Sequence, residues 1–597
     1  MRKRWIIFRV VLLSGLAGAL FTGFAAERND RQTAGECVFV HTDRDIYVAG
    51  EEVFFSLWLF TPQAGNEPAS RFAYIGLRGA SGMIERISME LSDAKGSGAI
   101  YLPDTMSTGY YELIAFTNWM RNVGERGYFR KSILVVNRFD RELANILPEQ
   151  GQENPAIQSA EAVHFSGLQP TAAPGPLKLS IKEQFEKQEL MTIKAEAPDP
   201  ADPITHMEVS VSLLASLESP FSGLGLSTCL ATNSVTERLS DRESMRDKDE
   251  MARPSDDWYP KEHSHKTIRG RATHTWSGDG LQGLRILLST PDTLVNLIYT
   301  ETNANGYFFF ELSDYYDDKE LFLTPDLSTT NSPVSLGIED RFSIKTPFQS
   351  TPFADMPARV DHIRNCQDIV RINKVFDIRS PGPQSIDAPG SPAPRPFAEA
   401  VLTIYPENYA PMTDLREISR ELVGPWRIRR SGGQYTQGMI CNTSGSLLPG
   451  EPVLFIDGII TTNLHALLAI GGAQIRKLEV HNLNWVYGDM YFPGIVAVFT
   501  KDEAYLDMDF IPEPLRLIHP AHHRPLAFYS PGPEAGAGRK DPARPDLRQL
   551  LYWNTDAAGD EPLSWYASDL AGEYRVFVRA QTQSGQLLEA TKTIVVK

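Results

Sequence analysis

The chain has 597 residues, enough for about four or five domains of roughly 100–150 residues each. Apolar content of 42% and charged content of 22% are those of soluble globular domains, and a net charge of −17 argues against nucleic-acid binding, which relies on clustered Lys and Arg. With 44 Gly and 41 Pro the chain is punctuated by turns, which favours a mainly β architecture. At the N-terminus, Arg2, Lys3 and Arg4 precede a largely apolar run over 5–19 and the small residues Gly23, Ala25 and Ala26. That is the pattern of a signal peptide over 1–25, cut after Ala25. No other stretch approaches the ~20 apolar residues that span a bilayer, so the expectation is an exported chain with no transmembrane span after signal removal. Cys37, Cys229, Cys366 and Cys441 are scattered without paired spacing, which is neither a disulfide framework nor a zinc pattern.

Short alternating strands with Gly, Pro and Asp between them run through 37–137 and predict a β-sandwich. Two motifs stand out there: Thr42-Asp-Arg-Asp-Ile-Tyr-Val-Ala-Gly-Glu51 before the strand over 53–60, and Gly109-Tyr-Tyr-Glu-Leu113 within 108–122. The pair resembles the macroglobulin-type domain of the α2-macroglobulin and complement superfamily, where "TDKPVYRPGETV" opens one strand and "G-x-Y-x-L" a later one. It is also similar to a Bacteroidetes envelope family carrying "TDR-x-x-Y-x-x-GE" and "GYY-x-L-x-A-x-T-x-W-M-R-N". The aromatic residues of this stretch, Trp119 included, are read as core rather than as ligand contacts.

Residues 138–175 read as a Pro- and Gln-rich linker. Strands over 177–181, 190–195 and 207–214 then predict a second sandwich in 176–260, ending in a charged insertion; "EVSVSLL" (208–214) resembles a further macroglobulin-type domain. Residues 264–345, with Thr267-Ile-Arg-Gly270, Gly283-Leu-Arg-Ile-Leu-Leu-Ser289 and Asn305-Gly306, resemble a carboxypeptidase regulatory-like domain, a small transthyretin-like sandwich without catalytic residues. A strand segment and Pro-rich linker are expected over 346–397.

In 398–505, an amphipathic helix over 412–422 enters a β-α-β-β unit. The strand 452–456 stops at the turn pair Asp457-Gly458, Asn463 caps a helix over 464–470, Ile475, Leu478 and Val480 mark a second strand, and Tyr487-Gly488 turns the chain into a third over 494–499. This order resembles the plug domain of TonB-dependent outer-membrane receptors. Fewer than a hundred residues follow Lys501, too few and too rich in Pro and Gly for the barrel of such a receptor. Residues 506–597 read as a Pro-rich linker and a C-terminal β domain, whose "RPDLRQLLYWN" and "AGEYRVFVRAQTQSGQ" resemble the closing domain of the same envelope family.

His263, His265 and His274 near Glu262 invite a metal reading, as do His519, His522 and His523, but both sets lie in segments suited to solvated histidines. The turn explains Asp457 better than catalysis does, and Tyr487 likewise reads as structure. No G-x-S-x-G elbow, H-E-x-x-H helix or thioester "GCGEQ" occurs. The expectation is therefore no catalytic, metal or cofactor residues, and a non-enzymatic protein that binds or scaffolds protein partners in the periplasm or at the outer membrane, a TonB-dependent barrel among them. A macroglobulin-like endopeptidase inhibitor without thioester, and an unrecognised hydrolase, are the alternatives.

Overall fold

The computed structural model describes residues 36–61, 69–140, 175–214, 258–330, 332–348, 356–376, 397, 399–523, 545–559 and 561–597. The signal segment, the charged insertion over 215–257 and the Pro-rich stretches over 377–396 and 524–544 lie outside them. The chain is mainly β, built from three β-sandwiches and one α+β unit.

The first sandwich packs a three-stranded sheet, Cys37–Thr42, Glu52–Phe60 and Lys95–Tyr101, against a five-stranded one ordered Ile46–Val48, Phe129–Val136, Gly109–Phe116, Phe72–Gly79, Gly82–Glu90. In Glu52–Phe60 the period of two is occupied on both faces. Val53, Phe55, Leu57 and Leu59 enter the core, while Phe54 packs on Leu550 and Trp553 and Ser56 and Trp58 bond to Glu208. The strand is thus a wall between two domains. The opening motif is a clasp beside it. Asp43 accepts from Tyr47 Oη at 2.7 Å and Phe54 N at 3.0 Å, and Arg44 reaches both Glu51 (3.1 Å) and Gln549 (3.0 Å).

The second sandwich corrects the domain boundaries. The strand Ile204–Leu213 lies between Leu550–Ala558 and Gly572–Thr582 in one sheet, which continues through Leu587–Val596 to Gln184–Phe185. The facing sheet joins Lys178–Ser180 and Leu190–Glu196 to Leu563–Tyr566. Residues 176–213 and 550–596, expected as two domains, form one hydrophobic core around Trp565, Tyr574, Val209 and Val211. Neither half has enough strands to bury its own apolar face.

The third sandwich is interrupted in the same way. Tyr307–Leu312, Lys266–His274 and Val334–Ile338 form one sheet; Ile298–Glu301, Arg285–Ser289, Lys319–Pro325 and the distant Leu515–His519 form the other. Its insertion is the α+β unit, with strands in the order Leu402–Ile404, Ile475–Tyr487, Met490–Thr500, Val453–Ile456, Ile459–Thr461, the pairing of Val453–Ile456 with Met490–Thr500 being parallel. The unit's helices are α2 (Leu415–Leu422) and α3 (Leu464–Leu468), capped by Asp414 and Asn463. One face of its sheet packs on those helices; the other packs on Leu287, Val295 and Leu297 of the third sandwich.

Where a strand segment was expected after residue 345, the chain forms helix α1 (Met356–Val375). Ile363, Cys366 and Val370, a narrow i, i+3, i+7 stripe, cover Ile46, Val48, Leu134 and Val136 at the edge of the first sandwich. Cys366 and Cys441 are free and buried, and Cys37 is disulfide-bonded.

Candidate functional site

Among the described residues, a dense group of chemistry-bearing side chains lies where the first and third sandwiches meet. Asp314 and Asp317 project from the short turn after Tyr307–Leu312. Lys266 comes from the first residue of Lys266–His274. His519 ends Leu515–His519, and the following residues 520–523 cross to the first sandwich, where His523 N donates to Ser88 O at 2.6 Å and Glu90 N to His523 O at 3.1 Å.

At the centre, His522 Nε2 is 3.1 Å from Glu90 Oε2 and Nδ1 is 2.9 Å from Asp317 Oδ2. Lys266 Nζ donates to Asp317 Oδ1 at 2.8 Å and to Pro520 O at 2.9 Å, and Arg71 pairs with Glu90. Burial alone would raise the Asp317 carboxyl, but His522 and Lys266 beside it hold it below its ordinary value. Burial draws the Lys266 ammonium down. His519 is pushed down to about 3, first by burial and then by the Lys266 charge. These groups are packed together in the seam between the two sandwiches.

Here the expectation of solvated histidines fails for two residues: His519 and His522 are buried, because the returning strand carries them under the first sandwich. For the first set it holds for His263, which is exposed, while His265 and His274 are half-buried. His263 faces Ala69 O at 3.3 Å, and His274 Nδ1 accepts from Trp276 N and Ser277 N. Glu262, buried, is consumed by Tyr74 Oη (2.6 Å), Thr267 and Arg341.

The remaining candidates are structural. Asp457 and Gly458 both sit at positive φ, 48° and 88°, and the Asp457 carboxylate accepts from Thr500 N and Oγ1 at 2.6 and 2.7 Å. A side chain on Gly488 would strike the Tyr299 hydroxyl. Trp119 stacks edge-on against Trp258, ring centroids 5.1 Å apart. Its neighbours Asn118, Arg121 and Asn122 bond to Pro260 O, Glu339 and Tyr259 O, so the second motif is a dock for the third sandwich.

Sequence reasoning missed a second seam, between the first and second sandwiches. Glu208 is buried against Ser56, Trp58 Nε1 (2.9 Å) and Arg579 (3.6 Å). His41 lies between the rings of Trp553 and Phe577 and bonds to Ser210 at 3.1 Å. Glu208 among the serines on one face of 204–213 was the available signal. An open groove of about 800 Å³ runs between the edge strands Val334–Ile338 and Leu515–His519, lined by Trp276, Leu327, Leu336, Pro512 and Leu515.

No family model matches the chain, and no curated protein matches it. Among solved structures it is similar to trypsin-activated α2-macroglobulin from Escherichia coli, at 9% identity over 94% of this chain and 42% of that one, with a TM-score of 0.22. The elastase-activated E. coli protein gives 10% identity over 94% and 44%, TM-score 0.22, and methylamine-reacted Salmonella α2-macroglobulin 10% over 94% and 39%, TM-score 0.22. The chain spans less than half the length of these proteins. At a TM-score of 0.22 the likeness carries no argument about partners or chemistry.

Proposed function

We propose that this chain is a non-enzymatic, exported cell-envelope protein that binds or scaffolds protein partners at the outer membrane. The observation that carries this reading is where many of the reactive side chains go: Glu208, Arg579, Glu262 and Lys266, all buried, are spent on seams that hold the domains together. The described residues offer sheet-edge strands, Val334–Ile338 and Leu515–His519, and the hairpin of Trp426–Ser431 and Gln434–Met439, features through which β proteins take partners. The export-like N-terminal sequence and the disulfide at Cys37 support an oxidising compartment. No described helix is long and apolar enough to cross a membrane.

The plug-like sequence over 452–501 supports a receptor barrel as partner. Both faces of that sheet are occupied, so contact falls to its periphery, where the hairpin of Trp426–Ser431 and Gln434–Met439 exposes Arg427, Arg429 and Arg430 on an otherwise acidic chain. The test is a pull-down of residues 26–597 against solubilised envelope of the host. Co-purification of an outer-membrane barrel, lost when the three arginines are changed to Glu, is expected. A stable complex with added protease instead, formed after linker cleavage, replaces this reading by the inhibitor one; turnover of a peptide or glycan substrate replaces it by a hydrolase.

A further inference from the structure

We propose that Asp314, Asp317 and His522 bind one divalent transition-metal ion of the zinc class at the junction of the first and third sandwiches. One ligand atom from each of the three lies within 4.8 Å of the other two. Asp314 and Asp317 are three residues apart on one turn, so both carboxylates face the same side.

The state of His522 points to a cation. Its Nε2 lies 3.1 Å from Glu90 Oε2, and a carboxylate accepts only from an N–H, so the proton of a neutral ring belongs on Nε2. That turns the Nδ1 lone pair toward Asp317 Oδ2, 2.9 Å away, and Nδ1 is buried with no hydrogen bond. A lone pair facing a carboxylate is repulsive unless a positive charge is shared between them. A second buried nitrogen without a hydrogen bond, His519 Nε2, faces the same aspartate from 3.7 Å.

The surroundings are those of a built site. Lys266 holds Asp317 Oδ1 and leaves Oδ2 toward His522. Glu90 supplies the carboxylate–histidine–metal relay that orients a ligating imidazole. One imidazole and two carboxylates suit Zn²⁺ or Co²⁺. The ion ties the 314–317 turn to the returning segment and, through Glu90, to the first sandwich.

The competing occupant is a proton, which makes His522 an imidazolium between two carboxylates. To separate them, residues 26–597 are stripped with chelator and titrated with Zn²⁺ by calorimetry and with Co²⁺ by visible absorption. The expected result is one ion per chain, Co²⁺ d–d bands, and a rise in Tm with added Zn²⁺. Asp314→Asn, which leaves the His522 ion pairs in place, lowers affinity about 10-fold or more, as does His522→Ala. His263→Ala leaves it unchanged. No saturable binding to the folded wild type, or binding that survives Asp314→Asn and His522→Ala, overturns the proposal and assigns the proton.

Discussion

Arg579 and Glu208 show what a polar residue costs in a seam. Both are almost wholly buried, and Arg579 reaches Glu208 at 3.6 Å and Glu589 at 2.6 Å. Burial pushes the Glu208 carboxyl up against the pull of Arg579. Arg579→Met leaves Glu208 without its countercharge and is expected to lower stability by about 3–5 kcal/mol, read as a shift of the urea midpoint; Glu208→Leu in the same chain recovers most of it. His41 adds a pH dependence. Burial first, then the charges of Lys131, Arg579 and Arg575, holds its pKa well below the ordinary value, so the native ring stays neutral. The unfolded chain takes up that proton near 6.5. Stability from this residue is therefore complete above about pH 6.5 and declines as pH falls below it. Urea melts at pH 7.5 and 5.5 should show a larger drop for the wild type than for His41→Phe.

At the scale of elements, local signals were readable and covering surfaces were not. Asn463 reads as a cap because its side chain and the following apolar run are adjacent in sequence. The structure agrees, Oδ1 accepting from Ala466 N at 3.0 Å. Asn463→Ala should cost about 1 kcal/mol by thermal melting. Asp457-Gly458 was legible for the same reason. Helix α1 was not: its apolar stripe over Ile363, Cys366 and Val370 is narrow, set among charges and flanked by Pro-rich sequence, and its meaning lies in the sheet edge it covers. Ile363→Ala should destabilise by about 2–5 kcal/mol, with limited proteolysis at α1 preceding loss of the first sandwich. If α1 is cut no faster than in the wild type, the helix is held by something other than this stripe. Glu52–Phe60 was legible as a strand, but its unbroken burial hid that its two faces serve two domains.

For the molecule as a whole, the α+β unit interrupts the third sandwich, and the third sandwich interrupts the second. Sequence reading divides a chain at linkers and expects each piece to close on itself, so it assigned 176–213 and 550–596 to separate domains. Pairing across such separations leaves no local trace; only the shortage of strands in each piece hinted at it. A chain truncated after residue 545 should keep the first sandwich yet expose the apolar face of Ile204–Leu213, giving dye binding and aggregation. If 176–260 stays folded and monomeric by itself, the shared sheet is not needed for its stability.

The nesting also sets an order of events. The strand Ile204–Leu213 emerges from the ribosome, and from any export channel, long before its neighbours Leu550–Ala558 and Gly572–Thr582; over half the chain passes between them. Closing so long a loop adds little to the equilibrium cost, since each doubling of length takes about 0.6 kcal/mol, but it delays the contact. Maturation therefore runs from the inside outward: the α+β unit closes first, the third sandwich around it, the second last, while an unpaired strand edge waits. A chain cut short before Gly572–Thr582 keeps that edge open, which makes residues 550–582 the checkpoint for a strand some three hundred residues earlier.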